Sequence, residues 1–173
     1  GKKYELLGGN IDLLDENNID YKFDSDKTVY LFSLNKEVIA SFELEDEIKD
    51  NAKQLIDFLQ KKNIEVIMLT GDNEKVALKI ANQLNINKYY SKQTPISKAD
   101  FIKDLKKQDK IVVMVGDGVN DSVALGNADV AVAMGNSADV SLAVSDVVLL
   151  NSTLNSLQEA FEISSKTYKF IKQ

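Results

Sequence analysis

The residues best suited to chemistry lie in one short acidic loop that contains Asp117, Asn120 and Asp121. An apolar run at residues 111–115 precedes this loop, so the two carboxylates are predicted to converge where a strand turns into a helix. At about 4 Å and an effective dielectric near 20, two such charges repel by roughly 4 kcal/mol. A divalent cation would relieve this repulsion, and Mg²⁺ suits carboxylates that lie beside a phosphate. The alternative is a solvated acidic turn that caps a helix.

A second polar loop follows another apolar run, residues 66–69. It contains Thr70, Gly71 and Asp72, and a predicted helix comes next. Thr70 offers a hydroxyl donor, Gly71 lets a phosphate approach the backbone closely, and the N-terminus of the following helix favours an anion. These features predict that the loop binds a phosphate or phosphoryl group.

Lys98 follows Pro95 at the predicted start of another helix. A cation at this end of a helix is unfavourable because the helix dipole is positive there. A phosphoryl group and carboxylates nearby would compensate for this cost. The alternative is an ordinary surface lysine, which is where most lysines lie.

The order of apolar segments predicts which elements position these residues. Short apolar runs predict strands at 66–69, 111–115, 129–133 and 146–150, and helical spacing predicts helices at 48–62, 76–84, 98–107 and 154–171. Strands that alternate with helices imply right-handed crossovers and a mostly parallel sheet. Ligands of such sheets bind at the carboxyl ends of the strands, which is where both polar loops lie.

The N-terminal residues have a different pattern. Two β-type runs, 29–34 and 38–42, flank Asn35 and Lys36, which predicts an antiparallel hairpin. Upstream, Gly8 and Gly9 predict a turn. We therefore expect two units, residues 1–43 and residues 44–173.

Composition narrows the chemistry further. The 173-residue chain has a net charge of −6, and an acidic surface makes nucleic acid an unfavourable partner. It contains no cysteine and no histidine, which excludes disulfides, thiolate metal sites and imidazole bases. Carboxylates and amides remain as metal ligands, and these favour Mg²⁺ or Ca²⁺. No segment approaches the roughly 18 to 20 apolar residues that span a bilayer.

The ordered motifs resemble the haloacid dehalogenase superfamily of phosphotransferases and, within it, the heavy-metal branch of the P-type ATPases. The matching segments are Met-Leu-Thr-Gly-Asp-Asn at 68–73, Pro-Ile-Ser-Lys at 95–98, Met-Val-Gly-Asp-Gly-Val-Asn-Asp at 114–121, and residues 128–135 and 145–150. The resemblance implies an α/β fold, with a haloacid-dehalogenase-like parallel sheet flanked by helices. Residues 1–43 would be the last part of an antiparallel nucleotide-binding domain, and residues 44–173 most of the phosphorylation domain.

The same resemblance implies roles for the site residues, with ATP and Mg²⁺ as cofactors. Thr70 would hydrogen-bond the phosphoryl group, Lys98 would neutralise its charge, and Asp117 with Asp121 would hold Mg²⁺. The remaining residues with an implied cofactor-binding role are Gly8, Gly9, Asn10, Gly71, Asp72 and Asn120.

The aspartate that such pumps phosphorylate begins an Asp-Lys-Thr-Gly-Thr motif. Asp26 begins a similar Asp-Lys-Thr, but Val29 and Tyr30 follow it, and the preceding segment is half polar. We therefore reject Asp26 as the phosphorylated residue. One alternative is a soluble phosphatase of the same superfamily that uses Asp24 and Asp26. Another is a binding module without catalytic activity.

On the pump interpretation, the phosphorylated aspartate and its central strand lie upstream of this sequence. We expect the resulting gap in the sheet to be filled by the upstream half of the pump, a second chain or a swapped copy. The segment would be soluble and lie at the cytoplasmic face of a cell membrane. The transported ion would bind elsewhere, and the resemblance favours copper(I), with zinc or cadmium as alternatives.

Overall fold

The computed structural model describes residues 3–22, 25, 27–44, 47–116, 119–135, 143–151 and 153–172. Three of the residues discussed above lie outside this part of the chain: Asp24, Asp26 and Asp117. In the described part, no helix is both long enough and apolar enough to cross a bilayer.

Near the N-terminus, three strands form an antiparallel sheet in the order β1 (Leu6–Gly9), β2 (Thr28–Leu34) and β3 (Glu37–Leu44). The hairpin between β2 and β3 turns at Asn35 and Lys36, whose φ angles are 51° and 67°. Positive φ at both positions is what a two-residue type I′ turn requires. The structure therefore contains the predicted hairpin.

The two faces of the antiparallel sheet differ. Helix α1 (Ile11–Glu16) covers one face, where Leu14 is fully buried in a cluster with residues of β2. The other face is open, because Tyr30, Phe32 and Phe42 are 43%, 37% and 57% exposed. The rings of Phe32 and Phe42 meet edge to face, with centroids 5.7 Å apart.

The prediction of a turn at the glycine pair was wrong, because Gly8 and Gly9 lie in strand β1. Gly8 stands opposite Phe32, and a methyl group added to Gly8 would lie 2.6 Å from that ring. Neither glycine has a positive φ, so close packing accounts for glycine at position 8. The chain turns instead at Asn10, whose side chain caps α1 by accepting a hydrogen bond from the N–H of Leu13 at 3.0 Å.

From residue 52 onward, helices and parallel strands alternate as predicted. The elements are α2 (Ala52–Lys61), β4 (Ile67–Leu69), α3 (Glu74–Leu84), β5 (Lys88–Tyr90), α4 (Pro95–Lys107), β6 (Val113–Gly116), a 3₁₀ turn (Val119–Asp121), α5 (Ser122–Leu125), β7 (Val130–Met134), β8 (Val147–Leu149) and α6 (Leu154–Ile171).

The parallel strands form two separate ladders. In the first ladder β4 pairs with β5, with Ile67 opposite Lys88. In the second ladder β6, β7 and β8 pair in that order, with Val113 opposite Val130. Within the described residues, no strand joins β4 to β6.

Two layers of helices pack against the ladders. Helices α2, α3 and α6 form one layer, and α4 and α5 form the other. The core under the first layer is a buried cluster of Leu55, Leu59, Val132, Met134, Leu149 and Leu157. Val66, directly before β4, packs against the same cluster. The two ladders therefore share one hydrophobic core although they share no hydrogen bonds in the described part of the chain.

Candidate functional site

Lys98 and Asp121 form a nearly buried ion pair. The Nζ of Lys98 donates to Oδ1 of Asp121 at 2.8 Å, and the two side chains are only 13% and 14% exposed. The pair joins the first turn of α4 to the turn that follows β6. Because water screens such a pair poorly, removing either partner would leave a costly uncompensated charge.

The start of α4 explains why Lys98 needs this partner. Thr94 and Ser97 cap the helix reciprocally, with hydrogen bonds of 3.1 Å and 2.9 Å between side chain and backbone, and Pro95 is the first helical residue. A cation in the first turn is unfavourable because it lies at the positive end of the helix dipole. Asp121 provides the compensating negative charge.

Gly116 ends β6 in close contact with Asp121. A methyl group at Gly116 would lie 2.8 Å from the Cβ and 3.0 Å from Oδ2 of Asp121. Only glycine leaves the carboxylate in its present position. Asp121 occupies the N-cap position of α5 but makes no capping hydrogen bond with its side chain. The helix-cap alternative therefore does not apply to this carboxylate.

Thr70 and Asp72 form hydrogen bonds with each other at the carboxyl end of β4. The Thr70 hydroxyl donates to Oδ2 of Asp72 at 2.5 Å and accepts from the backbone N–H of Asp72 at 3.1 Å. The Thr70 backbone bonds to Tyr90 and Gln93, at 3.0 Å and 2.8 Å. The hydroxyl is thus fixed in position, and a phosphoryl group would compete with Asp72 for its proton.

Gly71 is exposed beside this pair, and no packing contact requires a glycine there. A methyl group at Gly71 would meet only the carbonyl oxygen of Gln93, at an ordinary 3.6 Å. Asn73 caps α3 by accepting from the N–H of Val76 at 3.0 Å. The N-terminus of α3 therefore opens at this loop, which favours an anion.

The structure thus arranges the predicted residues in groups. Lys98 and Asp121 meet at the carboxyl end of β6, where Asn120 is exposed. Thr70 and Asp72 meet at the carboxyl end of β4. Both groups lie at strand ends, where parallel sheets bind ligands, but they belong to different ladders.

The other candidate residues belong to other elements or lie outside the described residues. Gly8, Gly9 and Asn10 belong to the antiparallel sheet and the helix cap that follows it. Asp117, the other carboxylate of the predicted cation site, lies outside the described residues. Among the residues that are described, no group of three acidic side chains could hold a metal ion. Asp121 and Asn120 offer hard oxygen ligands, which fit Mg²⁺.

Asp129, which lies directly before β7, has a structural role. Its carboxylate accepts from the N–H of Val112 at 2.8 Å and pairs with Lys106 at 2.9 Å. These contacts hold the pKa of Asp129 below its ordinary value, and the hydrogen bond from Val112 is the larger cause. In the sequence, the position of Asp129 directly before an apolar run was the feature that could have indicated this structural role.

Comparison with known families identifies the class of protein. The family model described as haloacid dehalogenase-like hydrolase matches residues 3–129. The chain therefore belongs to this family, and the predicted fold class is confirmed.

Individual relatives identify the branch. A probable copper-importing P-type ATPase A of Enterococcus hirae is 40% identical over 149 residues, which is 85% of this chain and 20% of the relative. A copper-exporting P-type ATPase of Staphylococcus saprophyticus is 39% identical over 174 residues, which is 100% of this chain and 22% of the relative. The chain thus spans about a fifth of the length of these curated relatives. Its homologues are copper-transporting P-type ATPases, as the motifs predicted.

Solved structures agree. The catalytic domain of the CPx-ATPase CopB-B is 37% identical, with a TM-score of 0.69, over 78% of this chain and 57% of that one. A zinc-transporting PIB-type ATPase in the E2.Pi state is 28% identical, with a TM-score of 0.73, over 97% of this chain and 28% of that one.

Proposed function

We propose that this chain supplies the phosphoryl- and magnesium-binding part of the catalytic site of a metal-translocating P-type ATPase. The observation that carries the proposal is the nearly buried Lys98–Asp121 pair at the end of β6. This cation and this carboxylate are in contact and mostly shielded from water. They therefore suit a site that stabilises charge during phosphoryl transfer.

Each candidate residue has a role in this proposal. Thr70 holds a phosphoryl oxygen through its hydroxyl, and Lys98 neutralises the charge that develops on the transferred group. Asp117 and Asp121, with Asn120 beside them, hold Mg²⁺, which when bound offsets phosphate charge. Gly71 and Asp72 form the wall of the phosphoryl pocket.

The phosphorylated aspartate belongs to sequence outside residues 1–173 in this proposal. Residues 1–43 form the last part of the ATP-binding domain, with Gly8, Gly9 and Asn10 near the nucleotide. Residues 44–173 form the phosphorylation domain without its nucleophile strand. The assembled protein works at the cytoplasmic face of a membrane.

Copper(I) is the proposed cargo, because the two curated relatives described above are named for copper. One is named as an importer and the other as an exporter.

A binding experiment on this chain tests the cation site. Mn²⁺, a paramagnetic substitute for Mg²⁺, should broaden the NMR signals of Gly116 and Asp121 before those of the antiparallel sheet. Asp121→Asn should weaken this broadening at least tenfold. Asp104→Asn is a matched control, because Asp104 is an exposed acid on α4 that pairs with Lys107. Equal broadening in the Asp121→Asn variant would contradict the proposal.

A kinetic experiment separates the pump segment from the phosphatase alternative. The chain alone should not hydrolyse p-nitrophenyl phosphate in the presence of Mg²⁺. Hydrolysis that disappears in an Asp24→Asn variant would instead assign the chain to the soluble phosphatases.

A further inference from the structure

We propose that Gln93 is a positioning residue that fixes Lys98 relative to the phosphoryl-binding loop at Thr70. It acts through the hydroxyl of Ser97. Thr70 follows the first ladder, whereas Lys98 pairs with Asp121 beside the second, and the two ladders share no hydrogen bonds in the described part of the chain. That Thr70 and Lys98 serve one phosphoryl group rests on the proposed function, but the contacts of Gln93 do not.

The backbone of Gln93 is attached to the phosphoryl-binding loop. Its N–H donates to the carbonyl of Thr70 at 2.8 Å. The preceding residue makes a similar contact, because the N–H of Lys92 donates to the carbonyl of Asp72 at 2.8 Å. A methyl group at Gly71 would lie 3.6 Å from the carbonyl oxygen of Gln93. The two segments therefore run side by side and are joined by backbone hydrogen bonds.

The side chain of Gln93 reaches the first turn of α4. Its Oε1 accepts from the Ser97 hydroxyl at 2.8 Å, and its Nε2 donates to the carbonyl of Ser91 at 2.9 Å. Ser97 directly precedes Lys98, whose own N–H donates to the carbonyl of Thr94 at 3.0 Å. The bond between Gln93 and Ser97 therefore fixes the helix turn that carries the lysine.

Ser97 has two roles that can be separated. Its Oγ accepts from the N–H of Thr94 at 2.9 Å, which is half of the helix cap. The proton of the same hydroxyl is shared between Oε1 of Gln93 at 2.8 Å and, more distantly, the carbonyl of Thr94 at 3.1 Å. The common capping box has Glu or Gln at this position, so a cap needs the acceptor but not the hydroxyl proton. The bond to Gln93 is thus a second role of this serine.

The segment before Gln93 is anchored as well. The Ser91 hydroxyl donates to Oε2 of Glu74 in the first turn of α3, and the Tyr89 hydroxyl donates to Oε1 of the same carboxylate at 2.8 Å. These bonds hold the pKa of Glu74 below its ordinary value, and the bond from Ser91 is the larger cause. Gln93 therefore connects the end of β5 and the start of α3 with the start of α4.

The position of Lys98 matters because a misplacement of about 1 Å in a catalytic site can cost roughly 100-fold in rate. Gln93 can set this position without adding charge, because its side chain is a neutral amide that both donates and accepts. A carboxylate in its place would accept from Ser97 but would add negative charge close to an anionic ligand. The residue type therefore fits a positioning role beside a phosphoryl group.

Hydrogen exchange in the 173-residue chain without ligand tests the bond itself. Gln93→Met nearly keeps the length of the side chain but removes both of its hydrogen bonds. We expect the amides of residues 93 and 98 to exchange at least about fivefold faster, while those of β7 stay unchanged. Gln54→Met, at an exposed position of α2, is the matched control and should change neither amide.

Variants of Ser97 test whether Gln93 acts through this hydroxyl. Ser97→Ala removes the hydroxyl and should accelerate exchange at Lys98, whereas Ser97→Thr keeps it and should exchange like the original chain. When combined with Ser97→Ala, Gln93→Met should add less than about twofold at Lys98, because both changes break the same bond. If Gln93→Met loses protection throughout the chain, this pair of Ser97 variants decides the question.

Orthophosphate in the presence of Mg²⁺ tests the positioning role. Binding is followed through the amide signals of Gly71 and Lys98. Gln93→Met should weaken orthophosphate binding at least about fivefold, whereas Gln54→Met should bind like the original chain. Both variants should unfold at similar urea concentrations, so a loss of affinity would not reflect a general loss of stability.

Three results would overturn the proposal. Exchange at residues 93 and 98 could be unchanged in Gln93→Met, or Ser97→Thr could accelerate exchange as much as Ser97→Ala. Gln93→Met could also exchange faster and yet bind orthophosphate with full affinity, which would make the bond structural only. If exchange responds as expected but orthophosphate shifts neither signal in the original chain, the link from Gln93 to Lys98 stands and the proposed function fails.

Discussion

The antiparallel sheet and the parallel unit leave different surfaces without a partner. In the antiparallel sheet every strand is paired to its neighbour, but one face exposes Tyr30, Phe32 and Phe42. In the parallel unit helices cover the faces, but the ladder is interrupted between β4 and β6. An antiparallel sheet tolerates an open face, whereas a parallel sheet normally lies between two helix layers. The parallel unit should therefore be the more sensitive to steric change.

The largest effect should come from Gly135→Ala in the parallel unit. The added methyl group would overlap the backbone carbonyl oxygens of Leu149 and Leu150. Backbone atoms cannot rotate away, so the free energy of unfolding should fall by about 3 kcal/mol or more. Urea unfolding followed by circular dichroism measures this loss.

Gly8→Ala in the antiparallel sheet is the matched control. Its methyl group would meet the Phe32 ring at 2.6 Å, but that ring is partly exposed and can rotate towards solvent. We expect a loss below about 1 kcal/mol. Equal losses in the free energy of unfolding for Gly135→Ala and Gly8→Ala would contradict the expected difference between the two regions.

An intermediate effect is expected for Gly116→Ala. The methyl group would lie 2.8 Å from the Cβ of Asp121, so the Lys98–Asp121 pair must shift, at a cost of about 1–3 kcal/mol. Gly71→Ala, where the nearest contact is 3.6 Å, should stay within about 0.5 kcal/mol of the original chain. Equal losses in the two variants would show that β6 is not tightly packed against the carboxylate.

The smallest effect is a pH dependence at Asp129. Because folding lowers the pKa of Asp129, its stabilising contribution is complete above the ordinary aspartate value near 3.9 and is lost as pH falls through the folded-state pKa. The difference in unfolding free energy between the original chain and Asp129→Asn should therefore shrink between pH 6 and pH 3. A difference that stays constant over this range would contradict the assigned contacts.

Periodicity predicted much of the fold. The closing helix has the predicted bounds, and the hairpin turn lies at the predicted residues, because long apolar periodicity and turn residues are strong local signals. Strand β5 escaped prediction. β5 consists of Lys-Tyr-Tyr, which has no apolar run, and its pairing with β4 depends on tertiary contacts that no local pattern encodes.

The sequence predicted which residues belong to the candidate site, but not the contacts between them. Lys98 and Asp121 are 23 positions apart, so only the folded chain could reveal that they form an ion pair. The internal bond between Thr70 and Asp72 was likewise invisible in the motif. The glycine pair was misread because Gly8 and Gly9 favour turns locally, while close packing of Gly8 against Phe32 and of Gly9 against Leu13 favours glycine at both positions of the strand.

The break between the ladders also bears on how the molecule resists force. In a continuous sheet, tension across the strands is carried by a row of backbone hydrogen bonds that must fail together. Here, in the described part of the chain, side chains of α2 and α4 carry that tension from one half to the other. Pulling the two ladders apart should therefore require less force than pulling apart a continuous sheet.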